Sequence, residues 1–61
     1  MSRDQALYEA IKMAVERQEI WVIWCAGSMD TWHMCSYQSG GYGRFESTRY
    51  ILPHGEITTL S

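Results

Sequence analysis

The sequence predicts an α+β domain: one N-terminal amphipathic helix packed on a small antiparallel sheet of three to four strands, in the chain order α-β-β-β-β and joined as a meander. A change of rhythm near Glu19 carries this expectation. Residues 2–18 repeat apolar groups at helical spacing, whereas from Ile20 onward the chain is rich in Trp, Tyr, Ile and Thr and is cut by turn residues. The second observation is length. Sixty-one residues make a single domain, 1–61, near the lower limit for folding without a metal or disulfides.

The helix opens with Ser2-Arg-Asp-Gln5, which fits a capping box in which the Ser2 hydroxyl accepts from the Gln5 amide and the Gln5 side chain reaches back. Asp4 falls in the first turn, where a negative charge suits the helix dipole. Ala6, Leu7, Ala10, Ile11, Ala14 and Val15 then form one apolar stripe, and Leu7, Ile11, Ala14 and Val15 are the expected contacts with the sheet. The helix is expected to end at Arg17 or Gln18. Neither Gly nor Pro stops it, so the strand propensity of Ile20–Trp24 must do so.

Ile20–Cys25 is almost wholly apolar, as a central strand covered on both faces requires. Ala26–Asp30 supplies turn residues, and Thr31–Tyr37 reads as the returning strand. A turn at 27–30 pairs Ala26 with Thr31 and Trp24 with His33, and side chains then sort by parity. Trp21, Ile23, Cys25, Trp32 and Met34 share the more uniformly apolar face, over which the helix is placed. Val22, Trp24, His33, Cys35 and Tyr37 share the other. Gln38–Gly43 is expected to be a mobile connection and Arg44–Leu52 a third strand. Leu52-Pro-His-Gly-Glu56 predicts a three-residue hairpin loop closed by a glycine bulge at Gly55, followed by a short edge strand over Ile57–Leu60.

A formal charge of −2 argues against a general affinity for the phosphate backbone, and the seven acidic residues are too dispersed for a DNA mimic. No apolar run reaches the length of a membrane span, and the N-terminus lacks the pattern of a signal peptide, so a cytoplasmic protein is expected.

Cys25, His33, Cys35 and His54 are the only soft ligands, and their spacing holds no Cys-x-x-Cys knuckle. Cys25 falls opposite Trp32, three residues from Cys35, which is too far for a disulfide. Two buried free thiols, no metal and no cofactor are therefore expected. His33 and Cys35 share a face and form the minimum for thiol catalysis, but such a pair also needs an orienting group, an oxyanion hole and a cleft. No catalytic residue is assigned; a histidine beside Trp24 that donates to a backbone carbonyl is the simpler reading.

Two functional surfaces are expected. Three tryptophans, four tyrosines and Phe45 are a heavy aromatic load for one helix on one sheet, so part of it should meet a partner. Trp24, Met29, His33 and Tyr37 are the protein-binding candidates, with a homodimer or a larger protein as partner. A non-enzymatic binding module, of the kind of a phage- or mobile-element accessory regulator or inhibitor, is the expected function. The alternative is single-stranded nucleic-acid binding through Tyr42, Arg44, Phe45 and Arg49 beside the Gly-rich loop, with Tyr37 as a further stacking residue. A third reading, a small thiol enzyme or metal protein, would centre on His33 and Cys35.

Overall fold

The computed structural model describes residues 2–25, 27 and 31–59. Helix α1 (Arg3–Arg17) leads into a four-stranded antiparallel sheet built from β1 (Trp21–Cys25), β2 (Trp32–Ser36), β3 (Arg49–Ile51) and β4 (Ile57–Thr58). This is the α+β arrangement that the sequence predicts. Residues 28–30 of the expected turn at 27–30 and the pairing of Ala26 with Thr31 lie outside the described residues, as does the end of the expected strand Ile57–Leu60.

Ser2 caps α1 as expected, its Oγ accepting from the Gln5 amide at 3.3 Å. The reciprocal bond of a capping box is not formed among the described residues. The far end corrects the sequence reading. Gln18 adopts the left-handed conformation (φ 52°, ψ 50°), and its N–H and that of Glu19 both donate to the Ala14 carbonyl. A non-glycine residue there costs about 1–2 kcal/mol. Two side-chain bonds offset the strain: Gln18 Nε2 donates to the Val15 carbonyl at 2.7 Å and to that of Pro53 at 3.4 Å. The helix stops at a cap tied to the β3–β4 loop as well as at a change of propensity.

The residues that bury α1 are Ala6, Ala10 and Ala14, each wholly inaccessible. Successive members of this series are four residues apart, so their methyls line one side of the helix. Leu7 and Ile11 flank the line and are only partly buried, and Val15, an expected contact, is 44 % exposed. The reason is volume. Ile23, Trp32 and Ile51 project from the sheet and fill the space between the layers, so the helix meets them with its smallest side chains.

The β1–β2 register is the expected one, with Trp24 opposite His33 and Cys25 opposite Trp32. Trp21, Ile23, Cys25, Trp32 and Met34 accordingly face the helix and join its core. The strand order is β2-β1-β3-β4, which departs from the meander. β3 pairs with β1 (Val22 opposite Tyr50), so β2 and β3 run parallel on either side of it. The chain between them must cross β1, and it does so over the face that the helix leaves free.

That crossing is the largest correction. The expected strand Arg44–Leu52 is reduced to Arg49–Ile51, and residues 37–48 pack across the sheet instead of forming a mobile link. A short 3-10 turn, Tyr37–Ser39, starts the crossover and ends on Gly40, where φ is 73°. At Gly43 a Cβ would overlap the Phe45 ring and come within 3.0 Å of Trp24 Cδ1, so only glycine allows this approach. Buried Thr48 then fastens the loop: its Oγ1 donates to the Gly43 carbonyl at 2.7 Å and accepts from the Phe45 amide at 2.8 Å. Ser47 stands in for a ladder partner, its Oγ accepting from Cys25 N–H and donating to the Cys25 carbonyl, both at 3.1 Å.

The β3–β4 hairpin is as the sequence predicts. Gly55 has φ 91° and donates to the Leu52 carbonyl, and Leu52 N–H donates to that of Glu56, both at 2.8 Å. β4 is shorter than expected, at two residues.

Candidate protein-binding surface

The crossover divides the face opposite the helix into two halves. Over β1 and β3 it buries Val22 and Tyr50, together with its own Thr48, which gives β1 the cover on both faces that its apolar run predicts. Tyr37, Tyr42 and Tyr50 form one ring cluster: Tyr37 stacks on Tyr42 at 5.8 Å between centroids, and Tyr50 meets both edge-on at 6.1 and 5.8 Å. Burial raises the Tyr50 phenol above its ordinary pKa, with the neighbouring Tyr42 hydroxyl the next cause.

Over β2 the face stays open. His33 is exposed, and Trp24 and Cys35 are half-buried. The His33 ring stacks on Trp24 with centroids 5.4 Å apart and planes at 27°, an aromatic contact where a bond to a backbone carbonyl was expected. Trp24, His33 and Tyr37 thus border the same strand, although Tyr37 turns towards the tyrosine cluster. Met29 lies outside the described residues.

The strand order gives β2 a role that the sequence reading missed. In a meander β2 is interior; here it is the outer strand. Tyr37 N–H donates to the Ile20 carbonyl at 2.8 Å. By the alternation of an antiparallel ladder, the backbone groups of His33 and Cys35 also face β1, and those of Met34 and Ser36 point outward. Nothing in Trp32-His-Met-Cys-Ser36 guards this edge in the usual way, since it holds no Lys, no Pro and no acidic residue. β4, the other edge, is blunted by its length. No sequence signal marks β2 as an edge, because its apolar alternation is equally suited to an interior strand.

The residues of the nucleic-acid alternative are split. Tyr42, Arg44 and Phe45 lie on the crossover, with the Arg44 guanidinium 6.0 Å from the centre of the Tyr42 ring. Arg49 pairs with Ile23, whose side chain faces the helix, so it lies on the other face of the sheet. Its Nη1 donates to the Glu46 and Thr48 carbonyls at 2.8 and 2.9 Å. Tyr37 and Tyr42 stack on one another, which takes one face of each ring.

Cys25 is buried and Cys35 half-buried, less enclosed than expected; no disulfide joins them, and the register puts them on opposite faces. Burial raises the Cys35 thiol above its ordinary value. His54 sits at the β3–β4 turn, where its Nε2 lies 2.8 Å from Glu56 Oε2 on an exposed surface. Among the described residues no three His, Cys, Asp or Glu side chains are grouped to hold a metal ion. No helix among them is long and apolar enough to cross a membrane. Comparison with protein-family models, with curated proteins and with solved structures returns no match.

Proposed function

We propose that this protein is a non-enzymatic binding module that works through protein–protein contacts, by strand addition along the outer edge of β2. A second copy of the chain is the first partner to consider, and a strand of a larger protein fits the same edge. The observation that carries the reading is an outer strand of five residues, unguarded by charge or proline, whose Met34 and Ser36 backbone groups face away from β1. Such a row of donors and acceptors gives affinity to an added strand, and the side chains beside it give specificity.

A two-fold axis near Met34 would pair two copies of β2 antiparallel and join two sheets into one. Trp24, His33 and Tyr37 would then lie beside the seam on one face, and Trp32 and Met34 on the other. A non-enzymatic role also agrees with the state of the His33–Cys35 pair. The imidazole is engaged by Trp24, and burial favours the protonated thiol, which is the opposite of what a nucleophile needs.

Amide hydrogen exchange at rising protein concentration tests this surface. The Met34 and Ser36 amides should be unprotected in dilute protein and become protected together as concentration rises. Protection unchanged over that range, or arising only at β4, would overturn the assignment of β2.

A further inference from the structure

On the helix side of the sheet, beside the first turns of α1, lies a groove of about 470 Å³. This volume falls within the range of about 300–1,000 Å³ usual for small-ligand sites. The alanine line of α1 ends at Ala6, the helix residues before it, Arg3, Asp4 and Gln5, carry no apolar side chain, and Leu7 lines the groove beside them. Ile23 and Trp32, 1 and 8 % exposed, form its floor, and Ile57, 43 % exposed, its open wall.

Two of the five cationic side chains, Arg3 and Arg49, line this groove. Arg49 is held by the Glu46 and Thr48 carbonyls through one nitrogen, and among the described residues no carboxylate forms an ion pair with it. Among the described residues the one ion pair of Arg3 is with Asp4, whose Oδ1 lies 3.9 Å from its Nε on an open surface. Such an exposed, loose pair contributes little and is readily replaced. A guanidinium offers a planar fork of donors suited to a carboxylate, and two forks beside an apolar wall favour a ligand with one anionic head and a hydrocarbon body.

We propose that the groove binds a small amphipathic carboxylate, with its alkyl or aryl body over Ile23, Trp32 and Ile57 and its head between Arg3 and Arg49. The groove shares Trp32 with β2, but it is read by ligand binding and the β2 edge by association, so either assignment can fail without the other.

Decanoate and decanol are the probes, followed by the NMR signals of the Trp32 indole and the Leu7, Ile23 and Ile57 methyls. Decanoate should shift these signals saturably, and decanol, which keeps the body and loses the charge, should bind about tenfold more weakly. Arg3→Gln, at an exposed position, should weaken decanoate several-fold and leave decanol unchanged; Arg49→Gln should do the same if its loop stays folded. Equal binding of the two probes, no saturation below the micelle-forming concentration, or shifts confined to the Trp24 and Tyr42 side would overturn the proposal. So would displacement of decanoate at lower concentration by a peptide with an aliphatic C-terminal residue, which would make the groove a protein-docking site.

Discussion

Thr48→Val tests whether the crossover is fastened as described. Valine keeps the shape and apolar volume of threonine, so the substitution removes the hydroxyl and little else. Two bonds are lost, to the Gly43 carbonyl at 2.7 Å and from the Phe45 amide at 2.8 Å. Each is worth about 0.5–1.5 kcal/mol net, and a partner left dry costs about 1–3 kcal/mol. Gly43 is half-buried and Phe45 exposed, so water can reach both partners in part, which favours the lower figures. A loss of about 2 kcal/mol is expected. At about 0.05–0.15 kcal/mol per residue the whole domain holds about 3–9 kcal/mol, so the change should be plain in urea titrations followed by tryptophan fluorescence. Thr48→Ser keeps both bonds and should lose about 1 kcal/mol or less for its methyl. A Thr48→Val cost below about 0.5 kcal/mol, or equal costs for Val and Ser, would show that the hydroxyl does not hold the loop.

The alanine line inverts the usual order of core sensitivity. Ala10→Leu should cost about 1–3 kcal/mol or more by overpacking, whereas Ile11→Ala, at a half-buried position, should cost about 1–2 kcal/mol; equilibrium unfolding of both variants decides, and a tolerated leucine would contradict the close approach of α1. Tyr50 adds a pH dependence. Its phenol is raised by burial, so the folded state holds its proton more tightly than the unfolded chain does. The stability linked to it is fully present below the unfolded pKa of about 10 and is lost as pH rises through the higher folded value. Urea midpoints should therefore fall above pH of about 10, and fall less in Tyr50→Phe; equal slopes would show that Tyr50 does not titrate differently on folding.

Local chemistry was legible in the sequence and long-range topology was not. Ser2, the apolar run Ile20–Cys25 and the Pro53-His-Gly55 loop act over a few residues, and each marks its own element. The order of the strands depends on where the chain goes after Ser36. A pattern of period two says which face a residue takes but not which neighbour its strand has. Glycines at 40, 41 and 43 looked like slack, yet Gly43 is required by the approach of Phe45 and Trp24, a contact between segments nearly twenty residues apart. Arg49 was grouped with Arg44 by proximity in sequence, and the parity of β3 sends it to the other face. Trp24 and His33 were correctly expected as neighbours because their pairing follows from a turn of known length.

The central claim is that β2 is a binding edge. Ser36→Pro addresses it selectively, because Ser36 has φ −74°, a value proline adopts, and its N–H points away from β1. Ser36→Ala is the control: it also loses the hydroxyl that accepts from the Ser39 amide at 3.3 Å, but it keeps the outward N–H. Sedimentation equilibrium of the wild type, Ser36→Ala and Ser36→Pro over a range of protein concentration is the measurement. The first two are expected to form dimers with rising concentration, and Ser36→Pro to remain a folded monomer. A wild type that stays monomeric at high micromolar concentration, or a Ser36→Pro variant that dimerises as well as the wild type, would contradict self-association through β2.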